Sequence, residues 1–357
     1  MKNINYIIFL LLLISCSDKS NELIEISHAK YFNDKNFKEI KKVNHEIFND
    51  NFIGYPVRVI SIDTFLIAVD MKKDSIFHIF STKSKKYLGN FIPRGSGPNE
   101  LITCSNITQS NIPRTFWAFD ISSRKFSEYN IDSLFNNKQE LKSTINFNKI
   151  KSKLIGINQP QWISDSTFIC NSLFKYNERF FIFDKELNLK KKIYNNNLNI
   201  YDKFPDNILG DIFSSFINVK PDKSKIAIAG RYLDLLEIYD SNGNLLAMTK
   251  GPNKDFNFKF DIESSLNQGT MIKLPETRRG YIGIKTTNNC IYLLYSGKER
   301  RNPNHYSFSN TIYTFDWNGN PLNKYELDAQ ISSFAIDEKE NKIYALHHDA
   351  YIITYNM

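Results

Sequence analysis

The sequence predicts an all-β chain folded as a six-bladed β-propeller of four-stranded antiparallel blades, with the ring closed by an N-terminal strand. Three observations predict it. A short hydrophobic strand ending in an aromatic-and-Asp signature occurs six times: Phe77-His78-Ile79-Phe80-Ser81, Phe116-Trp117-Ala118-Phe119-Asp120, Phe181-Ile182-Phe183-Asp184, Glu237-Ile238-Tyr239-Asp240, Tyr313-Thr314-Phe315-Asp316 and Ile353-Thr354-Tyr355-Asn356. Two copies run straight into Asn-Gly hairpin turns, at Asn242-Gly243 and Asn318-Gly319, where these residues supply the positive φ that a tight turn requires. The copies recur at irregular intervals of roughly 40 to 75 residues, as in a radial array whose sheets bury their faces against one another.

The elements follow in order. Residues 1–16 read as a lipoprotein signal peptide, because Lys2 precedes an apolar run from Ile4 to Ile14 that is too short for a membrane span of about 20 helical residues. Leu13-Ile14-Ser15-Cys16 resembles the bacterial lipobox, which makes Cys16 a lipidated N-terminus held on a membrane by two or more acyl chains. Polar residues from Ser17 onward make 17–35 a tether. A Ser/Asp-rich start of this kind resembles a surface-export signal, interrupted here by Lys19.

The propeller occupies residues 36–357, in blades spanning roughly 53–93, 94–140, 157–200, 211–255, 277–327 and 328–357. With each signature strand placed third in its blade, second strands fall at Thr64–Val69, Thr167–Cys170, Lys225–Ala229, Cys290–Tyr295 and Lys342–His347, and blade two has no clear one. No stretch holds a helical period of 3.6. The last blade is one strand short at Met357; Phe37–Val43 is expected to supply it, removing two sheet edges at once. A seventh blade within Phe256–Pro275 is the alternative, since Asp240 and Asp316 lie far apart.

The formal charge of +8 comes largely from lysines scattered in predicted turns, which reads as a solvated surface; the compartment implied by the signal excludes nucleic acid. Cys104, Cys170 and Cys290 are widely spaced, with no Cys-x-x-Cys. That argues against a metal knuckle or a disulfide scaffold. Buried free thiols are expected, and one disulfide between two of the three stays open.

The segment from Phe91 to Leu101 contains Gly95-Ser96-Gly97-Pro98-Asn99-Glu100. It resembles the Gly-x-Gly-Pro-x-Glu segment of the TolB-like six-bladed β-propeller lipoproteins of Bacteroidetes, a family distantly related to NHL-type repeats. The likeness extends to the Pro-Asp turn at Pro221, the Asp-x-Asn-Gly turns and the segment from Ile336 to Tyr344. The resemblance implies a propeller carried on the cell envelope and specifies no reaction. Read from the residues themselves, Gly95 and Gly97 allow backbone angles closed to other residues and Pro98 stiffens the loop. Glu100 is then placed to accept loop amides or to pair with Arg94. A phosphate cradle would need a helix after the glycines, and none follows.

In a four-stranded antiparallel blade, the loop joining strands two and three emerges on the same face as the crossing to the next blade. The long segments 94–100, 172–179, 251–279 and 297–310 all map to that face, and long loops on a rigid scaffold are where recognition sits. Innermost strands also begin there. The candidate ligand-binding rim is therefore Tyr55, Arg58, Arg94, Glu100, Gln161, Trp162, Arg278, Arg279 and Tyr281, with Arg300 and Arg301 adding charge. Arg, Trp and Tyr are the types enriched at binding hot spots, and planar guanidinium groups suit carboxylates and sulfates.

Catalytic and metal signals are poor. Neither a Gly-x-Ser-x-Gly elbow nor a His-Glu-x-x-His motif occurs. His347 and His348 are adjacent strand residues expected to point to opposite faces, so they are not expected to share an ion. No metal site is expected, and Ca²⁺ in the channel is the one cofactor left open. The expected function is a monomeric outer-membrane lipoprotein, facing the periplasm or the cell surface, that binds an anionic glycan, a peptide or an envelope protein. The alternative is a metal-assisted hydrolase, lactonase or lyase in the central channel, which would show as three or more converging carboxylates and amides. A purely structural scaffold would show no small-molecule pocket.

Overall fold

The computed structural model describes residues 28–49, 54–136, 143–150, 154, 156–172, 177–198, 204, 206–253, 260–263 and 270–357. Three short strands come first: β1 (Lys30–Tyr31), β2 (Glu39–Val43) and β3 (Glu46–Asn49). Blade one is β4 (Pro56–Ile62), β5 (Phe65–Asp70), β6 (Ser75–Ser81) and β7 (Tyr87–Pro93). Blade two is β8 (Asn106–Gln109), β9 (Thr115–Asp120), β10 (Lys125–Asn130) and, after the short helix α1 (Ile131–Phe135), β11 (Ser143–Asn146). Blade three is β12 (Ile157–Trp162), β13 (Thr167–Ser172), β14 (Phe180–Asp184) and β15 (Leu189–Ile193). Helix α2 (Asp206–Ile212) leads into blade four, β16 (Ser215–Val219), β17 (Lys225–Gly230), β18 (Leu235–Asp240) and β19 (Leu245–Lys250). A separate hairpin, β20 (Phe260–Glu263) and β21 (Thr270–Lys273), precedes blade five. That blade is β22 (Tyr281–Thr286), β23 (Ile291–Tyr295), β24 (Ser309–Phe315), which follows the single turn α3 (Pro303–Tyr306), and the first half of β25 (Pro321–Asp337). Blade six takes the second half of β25, then β26 (Lys342–His347), β27 (Ile352–Asn356) and β3.

Six apolar clusters fill the six junctions between neighbouring blades. Ile79 and Phe77 of blade one meet Phe116 and Ala118 of blade two, and Phe119 and Phe126 meet Phe168 and Phe183 across the next junction. Ile169 and Ile182 meet Ile217 and Ile228, while Ala229 and Ile238 meet Leu293 and Phe315. Leu294 and Ile312 meet Ile343 and Ile353, and Leu346 with Ala335 returns to Leu66 and Phe80 of blade one. The ring is closed by hydrophobic burial all the way round. The signature strands are central to it because both their faces are covered.

Their Asp residues fix the turns that follow. Asp316 Oδ1 accepts the amides of Asn318 (2.9 Å) and Asn320 (2.8 Å) while Gly319 takes φ 78°, and Asp240 holds Asn242, Gly243 and Asn244 in the same way.

Three expectations change. In blade two the signature strand Phe116–Asp120 is second, not third. Its inner strand β8 is short and polar, so it left no hydrophobic trace, and Phe126 and Tyr129 carry the third strand. Asp120 consequently sits on the loop-rich face, where it accepts Ile102 N (2.8 Å) and Thr103 Oγ1 (2.8 Å) from the blade crossing.

The ring-closing strand is Glu46–Asn49, antiparallel to β27, and not Phe37–Val43. Phe48 decides this: it is buried between Tyr344 and Phe80, with ring centroids 5.2 and 6.3 Å away. β2 instead runs parallel to β25 as a fifth strand of blade five, and β1 adds two residues parallel to β19. Residues 30–49 thus form a belt across the outer edges of blades four, five and six. The segment 256–275 supplies the hairpin β20–β21, not a seventh blade. The signal peptide, Cys16 and most of the tether lie outside the described residues.

Candidate functional site

Inner strands from all six blades line a central channel of about 830 Å³. Four of these strands carry a β-bulge at the end nearest the loop-rich face, between Pro56 and Arg58, Asn158 and Gln161, Tyr281 and Gly283, and Ile331 and Ser333. A bulge re-aims the side chains beside it. Here the bulges ring the channel mouth.

An inner strand has one unpaired edge, and the neighbouring blade satisfies part of it. Gln159 Oε1 accepts Ile217 N (3.0 Å), Gln161 Oε1 accepts Val219 N (3.0 Å) and Gln161 Nε2 donates to Ile217 O (2.6 Å). Across the next gap Thr286 Oγ1 donates to Val219 O (2.8 Å). These side chains hold blades three, four and five at a fixed separation around the channel.

The charge on the wall is one-sided. Its described lining contains Arg58, Lys223, Arg231, Arg279 and Lys285, with no Asp or Glu. Burial lowers the basicity of Arg58. Burial, with Arg279 and Arg58 nearby, brings Arg231 down to about 9; burial, with Arg58 nearby, brings Lys285 down to about 8. Like charges crowded into a low-dielectric wall destabilise one another's charged forms.

The hydrogen-bond inventory is equally one-sided. Five lining side chains hold a buried atom with no partner among the described residues: Arg58 Nε, Gln159 Nε2, Trp162 Nε1, Arg231 Nε and Arg279 Nε. All five are N–H donors. Arg231 lies over the Phe216 ring at 3.9 Å and Arg279 over Tyr306 at 5.3 Å, so aromatic faces seat two of the guanidinium groups. The wall can take a ligand rich in acceptors and negative charge.

A family model described as TolB-like 6-blade propeller-like matches residues 35–339. The chain belongs to this family. Among solved structures, the TolB-like chain is similar to a member of the DUF4221 family from Bacteroides vulgatus ATCC 8482, with a TM-score of 0.58 at 11% identity, covering 88% of this chain and 96% of that one. At that identity the likeness shows the fold alone. No functionally curated protein matches the sequence.

Of the nine predicted rim residues, the TolB-like channel brings together Tyr55, Arg58, Gln161, Trp162 and Arg279. The other four lie outside its lining. Arg94 directs its guanidinium to three carbonyls, Lys73 O (3.0 Å), Ile102 O (2.8 Å) and Asp70 O (2.9 Å), and so clamps the first blade crossing. Glu100 accepts Gly97 N (2.8 Å), and its carboxylate fills the space where a Cβ on Gly95 or Gly97 would sit. That contact, and no phosphate, explains the glycines of the segment. Arg278 donates to Gly297 O (3.1 Å) and Tyr295 Oη (3.3 Å); Tyr281 is buried, donating to Gly251 O (3.0 Å). Arg301 pairs with Glu276 and Glu299, and Arg300 donates to Lys273 O.

Sequence reasoning missed Arg231 and Lys285. Arg231 follows β17 directly on a loop of the channel-mouth face. Lys285 lies in an inner strand, which has no outward solvent face, and that placement is the signal that would have found it.

His347 and His348 also depart from expectation. β26 ends at His347, so strand alternation does not extend to His348, and the two rings lie side by side with centroids 4.0 Å apart. All three described cysteines are free. Among the described residues no helix is long and apolar enough to cross a membrane.

Proposed function

We propose that this TolB-like propeller is a binding module of the cell envelope, carried on the outer membrane by a lipid at Cys16, whose channel takes an anionic ligand from the loop-rich face. The observation that supports this most is that, among the described residues, the wall carries five unpartnered N–H donors and five cationic side chains with no acidic one. A buried donor left unmet costs about 1–3 kcal/mol. A ligand whose polar atoms are mainly acceptors, such as a glycan or peptide bearing carboxylates or sulfates, relieves that cost and neutralises the guanidinium groups. Calcium-assisted hydrolysis or elimination would call for oxygen ligands from converging carboxylates, and the described wall offers none. Binding without chemistry therefore fits these residues better. The lipid anchor rests on the lipobox resemblance, and a single-chain module needs no partner copy to complete the channel.

Thermal unfolding of the full chain in mild detergent, with citrate, a sulfated oligosaccharide and its neutral counterpart at matched ionic strength, tests this. The multiply charged anions are expected to raise Tm by roughly 3 °C at saturation, and Arg58→Met with Arg231→Met to abolish the rise. An anion response no larger than that of sodium chloride, or one unchanged in the double variant, defeats the proposal.

A further inference from the structure

We propose that His347, His348 and Asp349, in blade six at the channel mouth, form a binding site for a divalent first-row transition metal. One ligand atom from each residue lies within 4.8 Å of the other two, and among the described residues this is the one such grouping of His, Cys, Asp or Glu. The Asp349 carboxylate stands 3.6 Å from His347 Nδ1 and 3.4 Å from His348 Nε2.

The local chain accounts for this convergence. The strand stops at His347, and the turn through His348, Asp349 and Ala350, the last at φ 68°, folds the carboxylate back toward the rings. Tyr351 stacks on His347 at 4.3 Å, so packing orients the imidazole. His347 Nδ1 accepts the Asp349 amide at 3.2 Å, which keeps a lone pair on that nitrogen. A metal taking that lone pair would displace the amide.

Behind the pair, His45 Nδ1 meets Asp328 at 3.0 Å, and its ring centroid lies 6.1 Å from that of His347. Asp328 adds negative charge next to the site. Two imidazoles and one carboxylate suit Zn²⁺ or Fe²⁺ and not Ca²⁺ or Mg²⁺, which prefer oxygen ligands throughout. His347 and His348 both line the channel, so a bound ion would face the cavity. The site stands independently of the anion reading.

The test is calorimetric titration of the tag-free, metal-stripped full chain in mild detergent with Zn²⁺, alongside visible absorption on titration with Co²⁺. One ion per chain with a Kd below about 10 µM, and Co²⁺ ligand-field bands, are expected. The double variant His348→Ala, Asp349→Asn should weaken Zn²⁺ binding at least tenfold. Its metal-free Tm should stay close to that of the parent, because the His348 side chain is half exposed and that of Asp349 mostly exposed. Absence of saturable Zn²⁺ binding below about 100 µM, or equal affinity in the double variant, overturns the proposal.

Discussion

Two buried arginine environments in this propeller are built on opposite terms. Arg179, fully enclosed beside blade four, has its charge met: Nε reaches Glu237 at 2.9 Å, Nη2 reaches the same carboxylate and Nη1 donates to Phe213 O at 2.7 Å. Glu237 is satisfied in turn by Asn195 Nδ2 (2.6 Å) and Tyr239 Oη (2.8 Å). Arg231, on the channel wall, has an aromatic ring beneath it, two other arginines near it and an Nε with no partner. Burial alone therefore does not separate the two arginines. The matching of donors and charge does, since most buried polar groups in a folded chain find a partner.

The largest expected effect tests the structural side. Glu237→Gln leaves Arg179 as a buried, uncompensated cation and should lower the unfolding free energy by about 3–5 kcal/mol in urea titration. A loss below 1 kcal/mol would mean that the paired network is no more stabilising than a surface contact. On the channel side the sign should reverse: Arg231→Met removes a desolvated cation crowded by Arg58 and Arg279, and unfolding stability should stay level or rise by about 1 kcal/mol. If that variant is as damaging as Glu237→Gln, the two environments are not distinct.

A smaller effect separates them by pH. Burial, with Arg58 nearby, brings Lys285 down to about 8 in the folded chain, against 10.5 for the ordinary ammonium. Between those values the unfolded state binds more protons, so this residue makes stability rise with pH across that window. Lys285→Met should flatten the rise in denaturation curves taken from pH 8 to 10.5; an unchanged slope would show that the ammonium is better solvated than its surroundings imply. The smallest effect is at Trp162, whose ring packs against Trp117 and Phe168 while Nε1 stays unmet. Trp162→Phe should preserve most of that packing and weaken anion binding by about 1 kcal/mol, the worth of one hydrogen bond.

The fold was legible because its information is periodic. Alternating apolar residues, Asp-anchored turns and Asn-Gly pairs mark five of the six third strands directly, since each blade must bury the same faces against its neighbours. Blade two escaped because β8 is polar and short. The closing strand escaped because Phe37–Val43 and Glu46–Asn49 are equally plausible strands, and only the seat of Phe48 between blades six and one chooses between them. The site was half legible. Position along an inner strand places Arg58 at the mouth, whereas Gln161 and Trp162, the last two residues of β12, lie toward the opposite end of the channel; whether an arginine faces the channel or clamps a crossing depends on nearby carbonyls. Arg94 and Arg278 found such carbonyls; Arg58 and Arg231 did not.

The belt formed by residues 30–49 would have a mechanical consequence were the chain held by its N-terminal end, as the proposed lipid anchor requires. Force arriving from that side meets the contacts in series: first β1, with Lys30 Nζ bonded to Asn320 Oδ1 at 2.8 Å, then Phe32 and Phe37 among Tyr313 and Phe315, then β2. The strand whose loss would open the ring, β3, is loaded last. The order of attachment along the rim would thus act as a strain relief, a pull from the N-terminal side being absorbed at blades four and five before the channel geometry is disturbed.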